Sequence, residues 1–357
     1  MNKAHSPVRV LIVDDSAVMR QLLTNLLSAD PEIEVVGSAP DPIVARDRIK
    51  ALNPDVVTLD VEMPRMDGLS FLRKIMTLRP TPVVMVSTLT QAGAEATLEA
   101  LEIGAVDFIA KPSGDVSEVF AGELQAKVKG AARTKVGMRQ PSAPKQPTAR
   151  IRARGSNDKM VVIGASTGGV EALKVVLMGL PSDCPPILIT QHMPPRFTAV
   201  FAERLNRECP MAVSEAAQDQ LIEAGRVYIA PGSHHLKIGR RNGRNVCVLS
   251  EEPPVSGHRP SVDVLFRSAA QSASNIAAGV ILTGMGKDGA EGMLELRKAG
   301  VATLGQDEQS SLIYGMPRAA FERGAVMKQC SLVRMADAIL DVCEGHGSAR
   351  SDSVGAA

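Results

Sequence analysis

Short β-rich runs alternating with amphipathic stretches, several of the runs closing on a polar or charged residue, constrain this 357-residue chain more than any other feature. Val8–Val13, Glu34–Ala39, Val56–Asp60, Val83–Ser87 and Asp107–Ala110 are candidate strands. Between the first two lies a helical pattern, Ala17–Leu27, with Leu22, Leu23, Leu26 and Leu27 on one face. Five βα units of this kind predict a parallel, doubly wound sheet. The rhythm resumes at Met160–Gly164, Ile187–Gln191, Arg226–Ala230 and Gly279–Thr283. His234–Arg240 and Asn245–Ser250 flank Arg241-Asn242-Gly243-Arg244, whose Asn-Gly centre predicts a hairpin added to the second sheet. From Leu124 to Asn157 there are nine Lys/Arg, no Asp or Glu, prolines at 141, 144 and 147, and no hydrophobic period. That stretch reads as an extended, mobile tether. The expectation is an α/β protein of two doubly wound parallel-sheet domains. The first spans 8–125, a flexible basic linker 126–157, a larger second domain 158–344, and a disordered Gly/Ser-rich tail 345–357.

Composition removes several function classes. The formal charge of +1 provides no overall field for nucleic acid or an anionic membrane. No Trp, two Tyr and seven Phe leave no aromatic platform for single strands. Five scattered cysteines (184, 209, 247, 330, 343), none in CxxC spacing, argue against a disulfide framework and a zinc site. The run Val8–Val13 is too short for a signal-peptide core, and no segment approaches the ~20 apolar residues of a membrane span. These features predict a cytoplasmic protein with no membrane insertion.

In open α/β sheets ligands bind beyond the carboxyl ends of the strands. In the first series those ends carry Asp14-Asp15, Asp60, Ser87-Thr88 and Lys111-Pro112. Three carboxylates meeting at one edge repel unless a cation sits among them, and hard oxygen donors suit Mg²⁺. A lysine and a hydroxyl beside them add donors for a phosphoryl group. The set predicts phosphoryl acceptance on a carboxylate, Asp60 being the best placed.

In the second series, Met160–Ile163 runs into Gly164-Ala165-Ser166-Thr167-Gly168-Gly169 and then a helical pattern, Val170–Leu180. Such a glycine turn serves either a dinucleotide pyrophosphate or a serine nucleophile. A dinucleotide site wants an acid at the end of the next strand; Gln191-His192-Met193 stands there instead. Histidine suits a general base. Val280–Thr283 leads into Gly284-Met285-Gly286-Lys287-Asp288-Gly289, which brings a carboxylate to the same edge. Spacing thus predicts Ser166 as nucleophile, His192 as base and Asp288 as its orienting acid, with oxyanion donors near Met285 and in the region of Thr167. His234 and His235 also follow a strand and compete for the base; His258 lies in a Pro-rich loop beside Arg259. The order Ser…His…Asp differs from that of α/β-hydrolases.

Two resemblances follow from these residues. Positions 8 to about 125 resemble a response-regulator receiver domain, of flavodoxin-like fold, through Asp14-Asp15, Asp60, Met63-Pro64-Arg65-Met66-Asp67-Gly68, Ser87 and Lys111-Pro112. That likeness implies phosphorylation of Asp60 and Mg²⁺ held by Asp15, Asp60 and the Glu62 carbonyl with Asp14 in support. It also implies a switch through Ser87, Phe108 and Lys111. Positions 158 to 344 resemble the catalytic domain of the chemotaxis protein-glutamate methylesterases, the CheB family. The carriers are Ile163–Gly169, Gln191-His192-Met193, Ala230–His235, Arg259–Asp263 and Leu282–Gly289. This likeness implies Ser166, His192 and Asp288 as the triad, with no cofactor for the ester reaction. The substrates would be glutamate methyl esters, and glutamine amides, on the cytoplasmic helices of methyl-accepting chemoreceptors. The family pattern further implies a CheA-type histidine kinase as phosphodonor and a receiver that covers the active site until phosphorylated. A regulator acting on DNA would need a basic reading helix after the linker, and none is found. A scaffold with a degenerate site would leave Ser166 unreactive toward an acyl-directed probe.

Overall fold

The computed structural model describes residues 6–63, 66–112, 118–134, 136 and 159–344. Pro64 and Arg65 of the receiver-like loop, most of the expected linker and the whole expected tail lie outside them. The chain divides into two compact units.

The N-terminal unit alternates β1 (Val8–Val13), α1 (Ala17–Ser28), β2 (Ile33–Ala39), α2 (Pro42–Leu52), β3 (Val56–Asp60), α3 (Gly68–Leu78), β4 (Val83–Ser87), α4 (Gln91–Ile103), β5 (Asp107–Ala110) and α5 (Glu118–Ala132). The five strands pair in the order β2-β1-β3-β4-β5, all parallel. β3 and β4 are buried along their whole length, because helices cover both faces of such a sheet. Helix starts follow the capping chemistry of the sequence. Asp41 accepts from the Ile43 and Val44 N–H groups ahead of Pro42, and Asp67 and Thr90 cap α3 and α4. The pairings Val13↔Leu59, Asp60↔Val86 and Ser87↔Ala110 align the carboxyl ends. One boundary changes. α5 runs on to Ala132, past residue 125, where the sequence placed the start of the tether. Leu124, Val128 and Ala131 are fully buried at helical spacing, and that stripe outweighs the run of lysines around it.

The C-terminal part of the chain begins with β6 (Met160–Ala165), α6 (Gly169–Met178), β7 (Ile187–Gln191), α7 (Phe197–Glu208), β8 (Ala212–Glu215) and β9 (Arg226–Ile229). It continues with β10 (His235–Arg241), β11 (Arg244–Ser250), α8 (Val262–Gln271), β12 (Ile276–Ile281) and α9 (Ala290–Lys298), then β13 (Ala302–Gln306), α10 (Met316–Glu322), β14 (Lys328–Cys330) and α11 (Leu332–Cys343). Seven parallel strands pair in the order β14-β13-β12-β6-β7-β9-β8. The first strand, β6, is central. The chain builds outward through β7 on one side, then returns to lay β12 on the other, so the strand order reverses beside β6. Ligand crevices form at such reversals. The hairpin forms as expected, with Asn242 at φ 50° and Gly243 at φ 78° in its turn. It does not extend the large sheet, however: among the described residues β10 and β11 pair as strands with each other, and Val246 of β11 adds an isolated bridge to Leu221. β10 instead packs on α8, where the Ile238 N–H donates to Ser268 Oγ at 3.0 Å.

Candidate active site

Ser166, His192 and Asp288 follow β6, β7 and β12, three neighbouring strands across the reversal. The pairings Ala165↔Gln191 and Ile281↔Gly164 level their ends. His192 Nδ1 lies 3.1 Å from Ser166 Oγ, and His192 Nε2 lies 2.8 Å from Asp288 Oδ2. The imidazole thus donates from Nε2 to the carboxylate and turns the Nδ1 lone pair to the serine hydroxyl. The histidine side chain is 8% exposed and the aspartate 2%, so water barely competes for either bond.

The backbone around this trio is tied at several points. The Ser166 N–H donates to Thr283 O at 3.1 Å, and the His192 N–H to Ala165 O at 3.2 Å. Gln191, buried at the end of β7, donates from Nε2 to the carbonyls of both Ser166 and His192 at 3.0 and 3.2 Å. One amide therefore ties the Ser166 and His192 backbones together. Gly168 adopts φ 77° to open α6 behind the serine. Gly284 lies so close that an added Cβ would stand 2.8 Å from Ser166 Cβ and 2.4 Å from Met316 Sδ.

Asp288 sits on the N-terminus of α8. Its Oδ1 accepts from Ser261 Oγ at 2.8 Å and the Asp263 N–H at 3.1 Å; Oδ2 accepts from the Val262 N–H at 2.7 Å as well as from His192. Burial by itself pushes a carboxyl up. The His192 bond, the Val262 N–H and the Ser261 hydroxyl outweigh it and bring Asp288 down to about 2. The sequence pointed to Asp288 but not to this cradle, whose signal was a Ser261 N-cap at the head of an apolar-striped helix.

The oxyanion expectation is refined. The N–H of Ser166 itself is engaged by Thr283 and is unavailable to a substrate oxygen. The Thr167 side chain is buried and its carbonyl accepts from Thr283 Oγ1 at 3.0 Å. The Gly284 carbonyl accepts from the Gly315 and Met316 N–H groups, and the Gly284 N–H donates to Ile313 O. The two bonds to the Gly284 carbonyl fix the peptide plane whose opposite edge carries the Met285 N–H, which has no acceptor among the described residues.

The competing histidines are placed elsewhere. His234 bonds through its two nitrogens to Ser233 Oγ (2.7 Å) and Glu251 Oε1 (3.2 Å). His235 is fully buried, with both ring nitrogens engaged by backbone. His258 does reach the site, as a neighbour of His192: its ring stacks on the His192 ring with centroids 3.8 Å apart and planes 12° apart. No spacing in the sequence points to that contact.

In the N-terminal unit one oxygen from each of Asp14, Asp15 and Asp60 falls within a 4.8 Å cluster. Lys111 Nζ is 2.8 Å from Asp60 Oδ2 and 3.1 Å from Asp14 Oδ2. The Glu62 N–H donates to Asp60 Oδ1 at 3.2 Å. Burial raises Asp60 to about 6, with Lys111 opposing and Asp14 adding to the rise. One ammonium does not neutralise three carboxylates, and two of them are buried, so the donor set fits a hard divalent cation such as Mg²⁺. Ser87 is fully buried and turns its hydroxyl to Gly93 O at 3.1 Å, not toward a carboxylate. Phe108 is also buried, with Lys127 Nζ 5.2 Å from the ring centre.

Comparison with known proteins covers both units. A model of the CheB methylesterase family matches residues 161–339, and a response regulator receiver domain model matches residues 10–120. The protein-glutamate methylesterase/protein-glutamine glutaminase 1 of Caulobacter vibrioides is 58% identical over 342 residues, covering 95% of this chain and 99% of that protein. Its Xanthomonas campestris pv. campestris namesake is 54% identical over 348 residues, covering 94% and 97%. The crystal structure of the Thermotoga maritima CheB methylesterase catalytic domain is similar at 34% identity and a TM-score of 0.50, over 52% of this chain and 98% of that one. No helix among the described residues is long and apolar enough to cross a membrane.

Proposed function

The chain belongs to the CheB methylesterase family, and from that premise we propose a serine hydrolase of receptor glutamate methyl esters whose rate is raised by phosphorylation of its receiver domain. The observation that carries this reading is the hydroxyl–imidazole–carboxylate line, 3.1 and 2.8 Å long, at the strand reversal.

Ser166 Oγ attacks the γ-carbonyl of a methylated glutamate while its proton passes to His192 Nδ1. Asp288 accepts from Nε2–H throughout and stabilises the imidazolium. The carbonyl oxygen becomes an oxyanion facing the Met285 N–H, a contact worth about 3–4 kcal/mol in the barrier. Collapse returns the Nδ1 proton to the methoxy oxygen, releasing methanol and leaving an acyl-Ser166 ester. Water then attacks, giving its proton to His192, and the second collapse frees glutamate and Ser166. With glutamine as substrate the same steps release ammonia, because only the leaving group changes. The substrates are the cytoplasmic helices of methyl-accepting chemoreceptors, which places the reaction in chemotactic adaptation and the enzyme in the cytoplasm.

In the receiver, Asp60 is the phosphoacceptor and a CheA-type histidine kinase the donor. Asp14, Asp15, Asp60 and the Glu62 carbonyl would hold Mg²⁺, which when bound neutralises charge between carboxylate and phosphoryl oxygens. Lys111 stands ready to pair with the phosphoryl group. Ser87 and Phe108 are the residues that repack on phosphorylation. Methanol release from methylated receptor membranes, with and without acetyl phosphate, tests the reading. Ser166→Ala is expected to abolish release in both conditions; retention of most of the activity would refute the nucleophile.

A further inference from the structure

His235 opens β10, far from Ser166 in sequence and with no ring atom exposed. Its ring bridges two segments. Nε2 lies 3.1 Å from Pro253 O, a partner that only accepts, so Nε2 carries the proton. Nδ1 lies 3.1 Å from the Ser261 N, which only donates, so Nδ1 holds a lone pair. Both partners are backbone, and together they leave a single tautomer.

Ser261 is the N-cap of α8 and is itself fully buried. Its hydroxyl makes no cap bond within the helix and donates instead to Asp288 Oδ1. The next two N–H groups, of Val262 and Asp263, go to the two oxygens of the same carboxylate. Three successive N–H donors at the head of α8 are therefore distributed between His235 and Asp288. A continuous line runs His235 Nδ1, Ser261, Asp288, His192, Ser166. The far face of the first turn is fixed too, since Asp263 Oδ1 accepts from the Gly292 N–H at 2.8 Å.

We propose that His235 is a positioning residue of the hydrolytic site: the lone pair on its Nδ1 seats Ser261, and Ser261 with the first turn of α8 aims the Asp288 carboxylate at His192. The role rests on the hydrolase reading above. His235 touches neither substrate nor the reacting atoms. Without its acceptor, the Ser261 N–H is left buried and unpaired, and the hydroxyl or the helix end turns to satisfy it at the expense of Asp288. The carboxylate then loses the direction it needs, and a positioning error near the base falls on the chemical step rather than on substrate capture.

Two substitutions separate the ring's two bonds. In His235→Asn the side-chain oxygen occupies the place of Nδ1 and keeps an acceptor for Ser261. In His235→Gln the side chain reaches the place of Nε2, keeping the bond to Pro253 while vacating the acceptor. The full chain with acetyl phosphate is assayed on methylated receptor membranes. The expected result is a kcat for His235→Asn within about threefold of wild type, and for His235→Gln a kcat roughly 10- to 100-fold lower with KM unchanged, the size typical of losing a partner that orients a site residue. Equal kcat values for the two variants, or a loss confined to KM, overturns the proposal. Histidine ¹⁵N NMR of the wild type decides the case if either variant fails to fold: a protonated Nε2 and unprotonated Nδ1 on His235 support the role, and the opposite tautomer removes it. Should wild-type protein release no methanol, the hydrolase reading fails while the tautomer measurement still stands.

Discussion

Asp288→Asn isolates the part that charge and direction play at the site. The carboxylate has two oxygens and four donors: Oδ1 takes Ser261 Oγ and the Asp263 N–H, Oδ2 takes the Val262 N–H and His192 Nε2–H. An amide offers only one acceptor oxygen. With its NH₂ on the Oδ2 side it opposes both Val262 N–H and Nε2–H, which drives His192 to the other tautomer and puts a proton on the nitrogen that should receive one from Ser166. With NH₂ on the Oδ1 side it opposes the Asp263 N–H inside a buried turn. Wrong-tautomer loss in serine hydrolases runs to about 10⁴-fold, so a fall of about 10³–10⁴ in kcat is expected for methanol release.

Stability supplies a second, independent number. Asp288 stands at about 2 against an ordinary 3.8, and each unit is worth about 1.4 kcal/mol, so the charge contributes about 2 kcal/mol to the fold. A depressed carboxyl stabilises above its unfolded-state value and loses that contribution as pH falls through the folded one. The wild-type advantage over Asp288→Asn is therefore full above about pH 4 and shrinks by about 2 kcal/mol between pH 4 and pH 2. Both tyrosines, at 228 and 314, lie in the C-terminal unit and there is no tryptophan, so tyrosine emission during urea unfolding reports on that unit alone. A kcat within tenfold of wild type would refute the tautomer reasoning. A gap that stays constant down to pH 2 would refute the assignment of the stability to charge.

Three further outcomes are expected. Asp60→Asn, and separately chelation of divalent cations, should prevent phosphate incorporation from acetyl phosphate and remove stimulation while leaving basal ester hydrolysis intact; phosphate gel-shift and methanol assays read the two effects. His258→Ala removes the ring stacked on His192 and should lower kcat about 3- to 10-fold, the equivalent of about 0.5–1.5 kcal/mol for an aromatic pair, whereas His258→Phe should restore most of it. Gly284→Ala forces a methyl against Ser166 Cβ, so kcat should drop at least tenfold while urea unfolding moves by only about 1–3 kcal/mol.

Much of the fold was legible because parallel strands buried on both faces read as uninterrupted apolar runs. β3, β4, β5 and β7 begin and end where the sequence put them. β13 and β14 were not, since Ala302–Gln306 includes a glycine and a glutamine and Lys328–Cys330 is three residues long with two exposed. The end of α5 was misplaced because a run without acids resembles a tether when the buried spacing of Leu124, Val128 and Ala131 is ignored. The three groups at the strand ends were readable from their positions. Their supports were not: Gln191, His235 and Ser261 act through buried polar contacts most of whose partners are distant in sequence, and His258 works through a ring face that no spacing encodes.

The reversal of strand order also has a consequence during synthesis. A nascent chain that has emerged only as far as Gln271 already carries Ser166 and His192 but lacks Asp288 and β12. At that stage β6, buried throughout in the finished sheet, is an open flank with unpaired backbone along one side. The newborn protein thus passes through an interval in which the Ser166–His192 pair lacks its carboxylate and β6 lacks a neighbour, and the segment running from β12 through Asp288 supplies both.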